Sequence, residues 1–152
     1  MNEEKVINDN SEINNNTILN DEVKEKKNSN YNIMIVGSRA YSDYEYVKKK
    51  VDQYVNDNNI VVPITIISGG ARGVDTLAEK YAEEKKYKFK CFPANWGQFG
   101  SAAGPIRNKK MVRYIKKHGG VCLVFWDGKS TGSKEDIELC KKFRVKCEVF
   151  RV

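Results

Sequence analysis

Apolar positions along the chain fall into two kinds of run. Tyr31 to Val36, Ile64 to Ile67 and Val121 to Trp126 are short and nearly continuous, as expected for strands buried on both faces. Lys88 to Phe92 and Lys146 to Phe150 predict two further strands, and Pro63 confines the second strand to about Ile64 to Ser68. Between them the apolar residues recur at helical spacing. Tyr44, Val47, Val51, Tyr54 and Val55 predict a first helix, opened by a capping box of Ser42 and Glu45 and broken at Asp57 to Asn59. Leu77, Ala78, Tyr81 and Ala82 predict a second, running to about Lys86. Ile106, Met111, Val112 and Ile115 predict a third, with Pro105 in its first turn. Ser133 and Asp136 are expected to cap a fourth. A long loop, Pro93 to Gly104, separates the third strand from the third helix, and Asp127 to Thr131 is a polar loop.

Five strands alternating with helices specify an α/β fold, a Rossmann-like three-layer sandwich with a mostly parallel sheet of five or more strands. In such sheets ligands sit outside the carboxyl ends of the strands, where the strand order reverses. The loops after strands one, two and four are expected to gather there. Residues 1–30 are rich in asparagine and charge, with only isolated apolar positions, and are read as a disordered or loosely attached acidic arm. Residues 31–152 are read as one folded domain.

Charge sharpens this division. The 152 residues carry a formal +7, but residues 1–30 hold seven acids against four lysines, leaving 23 basic and 13 acidic groups, a net of +10, in residues 31–152. Such a surface favours anionic partners: nucleotides, nucleic acid or acidic protein. The lysines at 109, 110, 116 and 117 read as a solvated helix face. Cys91, Cys122, Cys140 and Cys147 lack CxxC spacing and are read as reduced core residues of a cytoplasmic protein. A single histidine, His118, precedes Gly119-Gly120 at an expected helix end, and with scattered cysteines it argues against a zinc site. No metal or cofactor is expected. No apolar run approaches the length of a membrane span, so no membrane partner is expected either.

Candidate chemistry concentrates in the loops. Ser68-Gly69-Gly70-Ala71-Arg72-Gly73-Val74-Asp75 joins strand to helix, its glycines permitting positive φ and close ligand approach beneath a helix N-terminus. Gly37-Ser38-Arg39 offers amides and an arginine, and Gly128 to Ser133, with Ser130 and Gly132, offers hydroxyls at a helix start. Arginine forks pair bidentately with phosphate. Arg107 follows a proline at a helix start, and Asn108 suits either a ribose hydroxyl or the first helical turn. Trp96 and Phe99 suit either a lid that stacks on a base or packing of the long loop. Asp75 suits a helix cap better than a catalytic role.

The runs IMIVGSR, ISGGARGVD, FPANW, AAGPIRNKKM and VFWDGKSTGS, in that order from about Tyr31 to the end of the chain, resemble the YspA-like (cpYpsA-related) branch of the SLOG superfamily. The resemblance implies a Rossmann-like domain that senses or processes a nucleotide or nucleotide-derived ligand, such as an ADP-ribose-like or cyclic nucleotide signal, in bacterial and phage conflict, acting as a homodimer or higher homo-oligomer. Two more distant likenesses add alternatives. The LOG phosphoribohydrolases carry an arginine with methionine four residues later and a PGGxGTxxE loop. Arg107 with Met111 matches the first, and Gly132 to Asp136 matches GTxxE with serine and aspartate substituted, while PGG is replaced by Lys129-Ser130-Thr131. This implies N-glycosidic hydrolysis with Arg107 and Asp136 as the acting pair, although a capping box from Ser133 also accounts for Asp136. The turn at Ser68 to Asp75 is similar to that of DprA, which implies single-stranded DNA binding, but Glu79 stands where DprA usually has histidine.

Overall fold

The computed structural model describes residues 30–152, and the arm expected over residues 1–30 lies outside them apart from Asn30. Five strands form one sheet: β1 (Tyr31–Gly37), β2 (Ile64–Ser68), β3 (Lys88–Cys91), β4 (Gly120–Trp126) and β5 (Cys147–Arg151). Every pairing is parallel, in the order β3-β2-β1-β4-β5. The sheet is therefore the expected Rossmann-like one, and its order reverses between β1 and β4.

The central strands explain their own unbroken apolar runs. Residues 32–36, 64–68 and 121–125 are buried on both faces because helices cover both sides. Helices α1 (Tyr44–Asp57) and α2 (Val74–Lys85) bring Val47, Val51, Tyr54, Val74, Ala78 and Tyr81 against Ile33, Ile35, Ile66, Leu123 and Phe125. On the other face α4 (Ala103–His118) and α5 (Thr131–Phe143) bring Met111, Val112, Ile115 and Cys140 against Met34, Val36, Ile67, Cys122 and Val124. Successive strand residues thus enter opposite cores. Fully burying each of the larger side chains stabilises the fold by ~1.5–3 kcal/mol. Tyr81 is also wholly buried, and its hydroxyl donates to Asp52 Oδ1 at 2.7 Å, tying α2 to α1.

Several local expectations need correction. Asp43, not Ser42, caps α1: its carboxylate accepts from the Tyr46 amide at 3.1 Å. The loop after β3 contains a helical turn, α3 (Trp96–Phe99), capped by Asn95 accepting from the Gln98 amide, then a 3-10 turn at Gly100–Ala102. The fourth helix begins three residues earlier than expected, with Ser130 rather than Ser133 at its N-cap, so Ser133 and Asp136 lie within α5 and cap nothing. Asp75 is likewise not an N-cap residue, because Gly73 holds that position before α2. Cys91, expected in the core, is exposed at the end of β3. The end of α4 is as expected, with Gly119 returning its amide to the Ile115 carbonyl beside His118, and the lysines at 109, 110, 116 and 117 are exposed. Among the described residues no helix is long and apolar enough to cross a membrane.

Candidate functional site

Reversal of the strand order opens a crevice between the carboxyl ends of β1 and β4, at Gly37 and Trp126. Ser38 knits its walls together. The Ser38 amide donates to the Phe125 carbonyl (3.0 Å), its hydroxyl accepts from the Asp127 amide (3.0 Å), and its carbonyl accepts from the Val74 amide (3.3 Å). Gly73 is confined for the same reason: its φ is +72°, and a Cβ there would stand 2.3 Å from the Ser38 carbonyl oxygen.

The crevice forms a cleft of about 670 Å³ whose lining includes Gly37, Arg39, Asp75, Trp96, Arg107, Asn108, Ser130, Gly132, Ser133 and Asp136. Gly69, Gly70 and Arg72 line a smaller neighbouring cleft of about 370 Å³, which shares Arg39, Ala71, Trp96 and Arg107 with the first. Two expected site residues line neither cleft. Ser38 is buried with its hydroxyl engaged, and Gly128 lies against Arg151, whose guanidinium packs over the Trp126 ring.

Arg107 is the centre of the arrangement. It enters from the second turn of α4, is buried, and lies under Gly69, whose carbonyl accepts from Arg107 Nη1. Its Nε donates to Asn108 Oδ1 at 2.8 Å, and Asn108 Nδ2 donates to Glu135 Oε1 at 3.3 Å, so Asn108 brackets the arginine to α5. Among the described residues Arg107 makes no ion pair. A buried guanidinium without a carboxylate partner in a cleft is suited to an anion. The free amides opening α5 face the same space, since no side chain caps that helix.

Two buried carboxyls stand near this cation. Asp75 Oδ2 accepts from the Ala71 amide at 3.2 Å, which holds the glycine turn closed. Burial pushes the Asp75 carboxyl up to about 6, against the lowering influence of the Ala71 amide and the Arg107 charge. Asp136 is buried and its Oδ1 has no hydrogen-bond partner. Burial, then the neighbouring Asp75 charge, hold its carboxyl well above the ordinary range, with Arg107 opposing. A carboxyl displaced upward in this way is suited to donate a proton rather than to stabilise a cation.

Sequence reasoning missed Asp127, Glu135, Ser101 and Met111 as lining residues, while Lys129 and Thr131 belong to the expected Gly128 to Ser133 loop. Asp127 had a readable signal, being an acid before a Gly-Lys-Ser turn: its Oδ1 accepts from the Lys129 (2.9 Å) and Ser130 (2.8 Å) amides. It also missed a feature further along the buried face of α5. The cysteines that look scattered along the chain converge, with the sulfurs of Cys122, Cys140 and Cys147 all within 4.8 Å of one another.

A doubly wound sheet with a buried, unpaired arginine at its switch point defines a Rossmann-like protein with an anion-suited cleft. The model of the YspA, cpYpsA-related SLOG family matches residues 31–99, the span that holds the IMIVGSR, ISGGARGVD and FPANW runs. The matched span holds Gly37, the glycine turn and Trp96, and it ends before Arg107 and the Gly128 loop. No curated protein and no solved structure matches.

Proposed function

We propose that the protein binds a nucleotide or nucleotide-derived small molecule in the cleft between β1 and β4. The buried guanidinium of Arg107 under Gly69 carries this reading, because it lines the cleft and offers a fixed charge that no ion pair holds. In this arrangement phosphate meets Arg107 and the amides opening α5, with Arg39 at the rim. The acids on the walls suit sugar hydroxyls, which carboxylates accept from. Asp127, Glu135, Asp75 and Asp136 all line the same cleft. Four carboxyls make a poor floor for a continuous phosphate backbone, so this mixture favours a nucleotide over single-stranded DNA. Trp96, half exposed at the mouth, supplies a face for a base. The family-model match over residues 31–99 is compatible with a nucleotide-related role.

Thermal-shift measurements against mononucleotides, ADP-ribose and cyclic nucleotides test the proposal, since a ligand of the folded state raises the melting temperature by mass action. A shift that disappears in Arg107→Met is expected. A ligand that stabilises wild type and Arg107→Met equally would sink the assignment of the cleft.

The partnerless Asp136 Oδ1 favours a second reading, hydrolysis of an N-glycosidic bond. The C–N bond breaks as the base leaves with the Asp136 proton, water oxygen adds to the ribose carbon, and the proton released by that water returns to Asp136. Arg107 holds the phosphate. Free base should then accumulate when the protein is incubated with nucleoside monophosphates, and Asp136→Asn should abolish it. Equal turnover in that variant would remove Asp136 from the reaction.

A further inference from the structure

Behind the cleft, on the opposite side of α5 from solvent, Cys122, Cys140 and Cys147 bring their sulfurs together in the apolar core of the α4/α5 face. The backbone fixes this meeting. Cys122 on β4 stands in register with Cys147 on β5. Cys140 lies in the last turn of α5, where its carbonyl accepts the Val145 amide at 2.9 Å. The Lys146 carbonyl accepts the Cys122 amide at 2.9 Å, so the return from helix to strand is pinned at the two residues just before Cys147. Cys122 and Cys140 are wholly buried, and Cys147 is half-buried and gives access.

Three sulfurs bound at ~2.3 Å to one ion stand roughly 4 Å apart. The observed 4.8 Å envelope therefore closes onto an ion with side-chain movements of less than about 1 Å. Closed zinc sites take four protein ligands. Among the described residues no further histidine, cysteine, aspartate or glutamate joins this group. Cys91 lies on β3, at the far edge of the sheet, and His118 packs on the Tyr114 ring. Thiolate donors select soft ions, and three of them without a fourth ligand suit three-coordination.

We infer that Cys122, Cys140 and Cys147 form a three-thiolate site for a soft, three-coordinate ion of the arsenite or monovalent-copper class. Charge ranks the two. Arsenous acid exchanges its three hydroxyls for three thiolates: three As–S bonds form, three As–O bonds break, and each thiol proton leaves with a hydroxyl as water. Arsenic stays trivalent and the product is neutral, which the apolar surroundings tolerate. Monovalent copper releases three protons to solvent and leaves two net negative charges, a costlier unit to bury.

Native mass spectrometry of the whole chain, kept reduced with a phosphine, tests the site with arsenite, chelator-buffered monovalent copper and zinc as separate probes. The expected adduct is equimolar and gains one arsenic while losing three hydrogens, with a copper adduct forming more weakly. Cys147→Ser and Cys140→Ser should each lose the three-thiolate adduct, and Cys91→Ser should keep it. An arsenic adduct on the wild type that retains a hydroxyl, binding of zinc alone, no adduct with any probe, or an adduct untouched by both serine variants would each overturn the inference. The hydrogen count is made on wild type, so it decides even if a serine variant fails to fold.

Discussion

Asp75 stores a pH-dependent cost that isosteric replacement should remove. Its carboxyl is buried and titrates at about 6, against 3.8 for an ordinary aspartate. Between those values the native state holds a proton that the unfolded chain has released, so stability falls as pH rises from about 4 through about 6 and stays lowered above that. The displacement corresponds to ~3 kcal/mol, taking about 1.4 kcal/mol for each pH unit. Asp75→Asn keeps an oxygen that accepts from the Ala71 amide but cannot ionise. Relative to wild type, the variant should therefore gain up to ~3 kcal/mol between about pH 4 and pH 7.5, equivalent to roughly 10 °C in melting temperature. Urea unfolding of both proteins across that range measures the difference, and titrations common to both cancel. Asp136 does not cancel wholly, since the Asp75 charge helps hold its carboxyl up, and losing that charge adds to the gain at neutral pH. A stability difference that is flat with pH would refute the reasoning, because it would mean that Asp75 does not carry a displaced proton. The same linkage bears on binding. An anion at Arg107 disfavours ionised Asp75, so phosphate-bearing ligands should bind more weakly as pH rises through about 6, and Asp75→Asn should flatten that dependence.

Three other substitutions probe separate parts of the site. In Gly69→Ala the added Cβ would stand 2.6 Å from Arg107 Nη1, so the guanidinium must shift while the fold survives; calorimetry should show ligand binding weakened by ~10-fold or more with cooperative unfolding retained. Trp96 is 51% exposed, so Trp96→Ala should leave the melting temperature nearly unchanged but weaken nucleotide binding by ~1–3 kcal/mol if the base stacks there. Equal affinity for nucleotide and for inorganic phosphate in that variant and wild type would show that the ring does not touch a base. Gly37→Ala puts a Cβ 2.2 Å from the Phe125 carbonyl oxygen, a backbone clash between β1 and β4, so soluble expression and melting temperature should both fall.

The layered architecture was legible because central parallel strands need apolar residues on both faces, and nothing else in a chain this size writes Ile33 to Val36 or Val121 to Phe125 as unbroken runs. Helix starts were less legible, since several residues near each boundary can cap. Ser42 and Asp43 are adjacent acceptors, and the choice between them depends on where the chain leaves Ser38, a tertiary matter. The convergence of three cysteines was not legible at all. It requires the register of β5 on β4 together with the phase of α5, and no spacing along a chain encodes both.

The three-residue shift at the start of α5 carries the most chemical weight. With Ser133 as a cap, Asp136 would be a first-turn acid, solvated and satisfied by amides. With Ser130 at the cap, Asp136 moves into the second turn, on the same face as Ser133 and Cys140, and all three point inward and are buried. The backbone there is already paired within the helix, so the carboxyl finds no amide, and its Oδ1 is left without a partner. A group that local sequence explains as a cap thus becomes a buried acid facing Arg107 across the cleft. Burying a carboxyl in this way lowers stability unless it stays protonated. Asp136→Leu, close in size and apolar, should therefore raise the melting temperature even as it removes any proton donor from the cleft. A variant less stable than wild type at neutral pH would show instead that the carboxyl is satisfied where it stands, and would remove the basis for assigning it a chemical role.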